Sequence, residues 1–170
     1  MNLICERNSA FLSLPKVFNF GTHFYSRLCE NKQNTMEKFF QKFDFFLMDY
    51  VFIPIHLLSE FHWTLVVVDI KQKKLTYYDS LNGKNPKCLK DIQEFFFERE
   101  KKYINMPNLS DHWKTDYATE IPRQTDSYNC GIFVLLYSLF IASNMEISFE
   151  IHELKHYRNL FLVHTLEKKI

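Results

Sequence analysis

Four residues of this sequence have the types that hydrolytic chemistry on a thiol requires: His62, Asp79, Gln124 and Cys130. A cysteine hydrolase needs a thiolate nucleophile, a histidine that pairs with it and protonates the leaving group, and a residue that orients the histidine. It also needs hydrogen-bond donors for the oxyanion. The four side chains could supply these functions if the fold brings them together.

Cys130 stands between a polar turn and an almost wholly apolar run, in RQTDSYNCGIFVLLYSLFI at 123–141. This pattern predicts that the cysteine begins a buried helix. The N-terminus of a helix carries partial positive charge and free N–H groups, which favour a thiolate. Gly131 would let another part of the chain approach closely. A small structural thiol in the core is the alternative, and the spacing alone leaves both interpretations open.

His62 and Asp79 lie on two predicted strands, FHWTLVVVDI at 61–70 and LTYYD at 75–79. The KQKK segment between them predicts an antiparallel hairpin. Paired in this way, His62 and Asp79 fall near the same end of adjacent strands. A carboxylate there can accept a hydrogen bond from the imidazole and fix its tautomer. Taken singly, the two residues also fit a strand histidine with satisfied hydrogen bonds and an ordinary turn aspartate.

Gln124 precedes Cys130 by six residues and is the candidate oxyanion donor. Its side-chain amide, together with the backbone N–H of Cys130, would form an oxyanion hole. A polar surface position is the alternative for this glutamine.

The elements that must position these residues follow from hydrophobic periodicity. The sequence predicts a loop that leads into a helix over 16–29. It predicts further helices over 36–46, 85–102, 131–143 and 149–168. The further predicted strands are 45–57, ending near Pro54, and 118–121. Strands in the middle of the chain with helices around them predict an α+β fold, and the length predicts a single domain over residues 1–170.

Composition excludes several classes of function. The chain carries 21 Lys and Arg against 20 Asp and Glu, so it indicates neither a nucleic-acid partner nor an anionic membrane. The longest apolar stretch, 132–142, is too short to span a bilayer. No C-x-x-C spacing indicates a zinc or redox site, and no signal peptide is recognisable. We expect free thiols in a reducing compartment.

The segment HELKH at 152–156 matches the H-E-x-x-H signature of zinc metalloproteases. The extended signature lacks its glycine, and His164 lies too far along the same helix to serve as third ligand. A polar face of the terminal helix is the simpler interpretation, so we expect no metal site. A zinc metalloprotease stays as an alternative.

Three stretches together resemble the sentrin/SUMO-specific proteases, which are the ubiquitin-like-protease family of cysteine peptidases. They are IPIHL (53–57), HWTLVVVDIKQKKLTYYDS (62–80) and IPRQTDSYNCGIF (121–133). Weaker similarity over 15–28 and 148–166 extends the resemblance to nearly the whole chain. The similarity points to the SUMO-directed branch of the family.

The resemblance implies a papain-like α+β fold with a central mixed or antiparallel sheet flanked by helices. It implies that His62 is base and acid and that Asp79 orients it. It also implies that Cys130 is the nucleophile and Gln124 the oxyanion donor. Trp63 would line a tunnel for the diglycine tail of the modifier, because residues without a Cβ pass between flat aromatic walls.

The implied activity is cleavage after the C-terminal diglycine of SUMO, in precursors and in lysine conjugates of target proteins. The implied partners are SUMO and SUMO-conjugated proteins. We expect a monomer without cofactor, in the nucleus, with the cytoplasm as second compartment.

Two departures from the family pattern bear on activity. Asn129 stands where members often have aspartate. Members also usually have, upstream of the MNL that begins this chain, a segment with a tryptophan that covers the tunnel from the other side. We therefore expect a chain truncated at its N-terminal part. The alternatives are an impaired copy that only binds the modifier and an acetyltransferase with a similar His–acid–Cys set. The intact set of four residues favours the protease.

Overall fold

The computed structural model of the protein describes residues 1–30, 44–103 and 113–167. The described strands are β1 (Val17–Asn19), β2 (Tyr50–Leu57), β3 (His62–Asp69), β4 (Lys74–Tyr78) and β5 (Lys114–Tyr117). The described α-helices are α1 (Asn2–Ala10), α2 (Phe24–Cys29), α3 (Pro86–Tyr103), α4 (Cys130–Ala142) and α5 (Leu154–Glu167). Short 3₁₀ helices cover Phe45–Leu47, Leu58–Glu60 and Ile151–Glu153.

The strands form one five-stranded sheet in the order β1-β2-β3-β4-β5. Strands β2, β3 and β4 pair antiparallel, whereas β1 joins β2 and β5 joins β4 in parallel. The sheet is therefore mixed, and the predicted α+β class with helices around a central sheet is confirmed.

The two faces of strand β3 supply two separate cores. Val66 and Val68 belong to the core that α2 and α3 cover, and Leu65 and Val67 to the core that α4 covers. A strand buried on both faces is apolar at consecutive positions, which explains the run LVVV at 65–68. Burial of each such side chain stabilises the fold by about 1.5–3 kcal/mol relative to exposure.

Helix α4 packs on β3 and β2 and is the central support of the second core. It is apolar nearly all round, as expected of a helix enclosed by other elements. The residues buried along it include Phe133, Leu136 and Tyr137. Because this helix is anchored along its length, its first residue has a fixed position at one end of the sheet.

Strand β2 continues through Pro54 to Leu57, so the prediction that it ends near the proline is wrong. The Phe52 carbonyl accepts a hydrogen bond from Phe20 N on the β1 side of the strand. Pro54 faces the same way, because alternate residues of a strand point their backbone groups to the same side. Strand β1 ends at Asn19, opposite Phe52, and the missing N–H of Pro54 therefore removes no ladder bond with β1.

The strand predicted at 118–121 is also wrong, because strand β5 lies earlier, at Lys114–Tyr117. This edge strand is mostly exposed and polar, so its sequence carries no apolar alternation. Helix α1 and strand β1 are further elements that the periodicity did not predict. The helix predicted at 36–46 lies outside the described residues except for its last three, of which Phe45 and Phe46 lie in a 3₁₀ turn.

The described helices include none with the length and apolarity needed to cross a membrane.

Candidate active site

The β3–β4 hairpin brings His62 and Asp79 into direct contact, as the sequence predicts. Leu65 pairs with Tyr78, so the residues just before Leu65 and just after Tyr78 lie at the same end of the hairpin. His62 Nε2 and Asp79 Oδ1 are 2.7 Å apart. The two side chains are 5% and 6% exposed. A contact so short and so well shielded from water fixes the orientation of the imidazole.

The Asp79 contact also selects the tautomer of His62. An ionised carboxylate accepts, so Nε2 carries the proton of that hydrogen bond. Nδ1 is then the ring nitrogen that can exchange a proton with another group. An imidazole held in this way can act as a base through Nδ1 and, once protonated, as an acid.

Cys130 is the first residue of helix α4, and Asn129 is its N-cap. The prediction of a cysteine at a helix N-terminus is therefore confirmed. Its side chain is 5% exposed and lies on a helix that packs against the strand carrying His62. The first N–H groups of a helix have no intrahelical acceptor, so they and the helix dipole favour negative charge at this end.

The loop before Cys130 is organised by the carboxylate of Asp126. Asp126 Oδ1 accepts hydrogen bonds from the backbone N–H groups of Tyr128 and Asn129, at 3.0 and 2.9 Å. Asp126 Oδ2 accepts from the Asn129 side-chain amide at 2.7 Å. Desolvation raises the pKa of Asp126, but these bonds outweigh it and hold the pKa below the ordinary value of 3.8. The charged form of Asp126 thus stabilises the loop that leads to the cysteine.

The amide of Gln124 is buried and held from two sides. Its Oε1 accepts a hydrogen bond of 2.7 Å from Ser80 Oγ, and its Nε2 donates one of 2.7 Å to the Asp126 carbonyl. The Gln124 backbone N–H also donates to the Ser80 carbonyl at 3.0 Å. An amide nitrogen carries two hydrogens, so one N–H of Gln124 is left over as a donor for another group. That is the group an oxyanion hole requires.

Trp63 follows His62 on β3 and stacks on His56 of β2. The ring centroids are 4.3 Å apart and the rings are inclined by 12°. The two residues are paired across the strands, and Trp63 is half-buried. The stack holds the indole of Trp63 in one orientation.

The HELKH segment has a local structural role. The side chain of Glu153 accepts the backbone N–H of Glu150 at 2.8 Å, and Glu150 accepts in return, which forms a capping box at the 3₁₀ turn. No group of three or more metal-binding side chains occurs within residues 1–30, 44–103 and 113–167.

The other three cysteines differ from Cys130 in environment, and the structure gives all four as free thiols. Cys88 lies on the buried face of α3, and desolvation raises its pKa to about 12. Desolvation likewise raises the pKa of Cys5 to about 11. Cys29 is exposed on α2.

Four residues around the site were not predicted as part of it: Ser80, Gly83, Asp126 and Arg158. The sequence does contain a signal for Asp126, because Asp followed by Ser and Tyr before Asn is typical of a side chain that bonds to nearby backbone N–H groups. Arg158 carries no such signal. It lies on α5, far from the cysteine in sequence, and donates to Asn129.

Comparison with known proteins places this arrangement in a family. The model of the Ulp1 protease family, C-terminal catalytic domain, matches residues 1–163. A sentrin-specific protease of Caenorhabditis elegans is 27% identical over 174 residues, covering 100% of this chain and 24% of that protein. Sentrin-specific protease 3 of Mus musculus is 31% identical over 136 residues, covering 79% of this chain and 23% of that protein.

A solved structure shares the fold. It is the C-terminal Ulp1 protease domain in complex with SMT3, the yeast ortholog of SUMO. The TM-score is 0.74 at 25% identity, with 91% of this chain and 69% of that chain covered. The chain spans about a quarter of the length of these two curated relatives. From the family match and the shared fold together, the chain belongs to the Ulp1 protease family, within its C-terminal catalytic domain.

Proposed function

We propose that the protein is a cysteine peptidase that cleaves after the C-terminal diglycine of SUMO, in precursors and in SUMO–lysine conjugates. The observation that carries this proposal is the shielded 2.7 Å contact between His62 and Asp79. It lies on the hairpin against which the helix beginning at Cys130 packs. Membership of the Ulp1 protease family supports the same chemistry.

In the proposed first step, the Cys130 thiolate attacks the carbonyl carbon of the terminal glycine. A C–S bond forms and the carbonyl electron pair moves onto oxygen. The free N–H of Gln124 and the backbone N–H of Cys130 stabilise this oxyanion. The C–N bond then breaks, and protonated His62 gives its Nδ1 proton to the leaving lysine amine.

In the second step, water attacks the thioester carbon and gives a proton to His62. A C–O bond forms and the C–S bond breaks, which regenerates the Cys130 thiolate beside protonated His62. The SUMO carboxylic acid that results releases its remaining proton to solvent and leaves as the carboxylate. Asp79 keeps the imidazole in one tautomer and stabilises its charged form throughout both steps.

The proposed recognition element is the face of the Trp63 indole opposite the one that stacks on His56. A diglycine segment has no Cβ atoms, so its backbone can lie flat against an aromatic ring. Similarity to a protease solved in complex with SMT3 supports SUMO as the modifier. SUMO and its conjugates are thus the proposed partners of a monomer without cofactor, acting in the nucleus and, as second compartment, the cytoplasm.

The test is covalent labelling of the chain by SUMO carrying a C-terminal vinyl sulfone. Wild type and Cys29→Ala are expected to be labelled at equal rates, and Cys130→Ala not at all. Cys29 is the matched control because its thiol is exposed and contacts Asp91 of helix α3, which carries no residue of the proposed site. A ubiquitin vinyl sulfone is expected to react far more slowly. Binding of SUMO without labelling would contradict the peptidase and support a protein that only binds the modifier.

A further inference from the structure

The turn that follows strand β4 wraps around the carboxylate of Asp79. Asp79 Oδ1 accepts the backbone N–H of Leu81 at 2.8 Å, in addition to the imidazole of His62. Asp79 Oδ2 accepts the backbone N–H of Gly83 at 3.1 Å. The Asn82 N–H closes the turn by donating to the Asp79 carbonyl at 3.0 Å. Three donors therefore fix both oxygens of the carboxylate.

Gly83 is required in this turn for space and not for its backbone conformation. No glycine among the described residues has a positive φ, whereas Asn82 does, at 61°. A Cβ atom at position 83 would lie 2.5 Å from Asp79 Oδ2, which is far inside the contact distance of carbon and oxygen. The carboxylate is the end of a flexible side chain, so it is the group that would move. Its movement would change the contact with His62.

The same turn holds the oxyanion donor through a different residue. Ser80 Oγ donates to Gln124 Oε1, and the Ser80 carbonyl accepts the Gln124 backbone N–H. Ser80 is buried, so water does not readily replace its hydroxyl. Gln124 Nε2 donates to the Asp126 carbonyl at the other end of the amide. The bonds from both ends together fix the orientation of the amide.

We propose that the turn 79–83 positions both halves of the site through two separable contacts. Gly83 positions the Asp79 carboxylate that orients His62, and Ser80 positions the Gln124 amide that faces the oxyanion. Neither residue touches the reacting atoms, so both are positioning residues. This assignment rests on the proposed function of the site. It adds two residues to that function, one that positions the acid–base pair and one that positions the oxyanion donor.

The two contacts predict two different kinetic signatures. In the proposed mechanism His62 acts on the Cys130 thiol, so loss of the Asp79–His62 geometry changes the reactivity of that thiol already in the free enzyme. Loss of the Ser80–Gln124 bond acts only when an oxyanion forms, so it leaves the reactivity of the free thiol unchanged. Alkylation of the thiol proceeds through no oxyanion and therefore separates the two effects.

The experiment uses the full chain in a Cys29→Ser background, which removes the competing exposed thiol. Iodoacetamide alkylation of Cys130 is followed from pH 5 to 9, and turnover is measured with SUMO bearing a C-terminal aminomethylcoumarin amide. Gly83→Ala is expected to lower alkylation at pH 6 by about tenfold and move the profile to higher pH. Ser80→Ala is expected to keep the alkylation profile and lower kcat by about tenfold to a hundredfold, with KM unchanged.

Gly21→Ala is the matched control, because a Cβ there meets nothing within 4 Å. It should behave as the background protein in both assays. If Gly83→Ala folds poorly, the pair Asp79→Ala and Asp79→Ala/Gly83→Ala replaces it. Removal of the carboxylate removes the clash, so the second substitution should then add no loss of stability. An equal loss in both backgrounds would overturn the role of Gly83.

An unchanged alkylation profile in folded Gly83→Ala, or a profile shifted equally by Ser80→Ala, would also overturn the inference. Failure of the proposed function looks different. In that case the background protein itself does not turn over the SUMO substrate. The alkylation experiment does not depend on turnover of the SUMO substrate, so it still tests the role of Gly83.

Discussion

Arg158 Nη2 donates a hydrogen bond of 2.6 Å to Oδ1 of Asn129, so helix α5 holds the residue that directly precedes Cys130. The side-chain amide nitrogen of Asn129 in turn donates a hydrogen bond to Asp126 Oδ2. The loop that leads to the cysteine is thus fixed from the C-terminal helix, through an asparagine that uses both ends of its amide. Asparagine can accept from Arg158 and donate to Asp126 at once, and no carboxylate can do both.

The first prediction concerns Asn129→Asp. The substitution keeps an acceptor for Arg158, but it replaces the donor toward Asp126 with a second carboxylate. We expect the free energy of unfolding to fall by about 1–3 kcal/mol, because one hydrogen bond is lost and repulsion is added. Urea unfolding at pH 7 measures the change.

The matched variant is Asp126→Asn/Asn129→Asp, in which the two side chains exchange types and the donor–acceptor pair is restored. It should recover most of the stability lost in Asn129→Asp. Equal stability of Asn129→Asp and wild type would contradict the donor role of the Asn129 amide.

The second prediction concerns Arg158→Ala. Without the guanidinium, Oδ1 of the largely buried Asn129 loses its partner, and the loop before Cys130 is less well fixed. We expect kcat for the SUMO amide substrate to fall by about tenfold, because misplacement of a nucleophile by a fraction of an ångström weakens its attack. Arg27→Ala, an exposed arginine on α2, serves as control and should leave kcat unchanged. Similar losses in the two variants would argue against support from α5.

The third prediction concerns selective reaction of the four thiols. Brief treatment with iodoacetamide at pH 7.5 should modify Cys130 and Cys29 and leave Cys5 and Cys88 intact. Desolvation raises the pKa of Cys5 to about 11 and of Cys88 to about 12, so both remain thiols at this pH. Peptide mapping by mass spectrometry measures the sites. Modification of Cys88 in the folded chain at the rate of Cys29 would be inconsistent with its burial.

The fourth prediction is a pH dependence of stability from Asp126. Its pKa is lower in the folded chain than its ordinary value of 3.8, because bonds from Asn129 and Tyr128 outweigh desolvation. A depressed pKa means that the contribution is present above about pH 4 and is lost as pH falls through the folded-state value. Wild type should therefore be more stable than Asp126→Asn at pH 6, and the difference should shrink toward pH 3. A difference that grows in acid would have the wrong sign.

The fifth prediction separates the HELKH segment from metal chemistry. Glu153→Ala removes the reciprocal bond with Glu150 and should lower the free energy of unfolding by about 0.5–2 kcal/mol. Neither zinc nor a chelator should change stability or turnover of the wild type. His152→Ala is the control, since the capping box does not use its side chain. Loss of turnover on chelation would revive the metalloprotease alternative.

The sequence predicts the hairpin and the contact between His62 and Asp79 because the signals are local. Strands of apolar and β-branched residues flank a polar turn, and the register then places His62 beside Asp79. The start of helix α4 at Cys130 is equally local, since polarity changes sharply there. These features depend on residues that are close in sequence, so they can be predicted without knowledge of tertiary contacts.

The features that sequence did not predict depend on distant partners. Helix α1 buries Asn8, whose amide donates to the carbonyls of Pro15 and Ala142, so an asparagine acts there as a core residue. Strand β5 forms because β4 offers it a backbone ladder, although its own side chains are mostly exposed. Arg158 belongs to the site only because α5 packs beside α4. In each case tertiary contacts override the local pattern.

The origin of the site in two separate parts of the chain has a consequence for biosynthesis. The His62–Asp79 pair spans a single hairpin, whereas Cys130 begins a helix that packs on the sheet. A half-folded chain in which helix α4 has not docked therefore lacks the proposed arrangement of thiol and imidazole. The proposed site is thus complete only in a chain whose sheet and helix α4 have both folded.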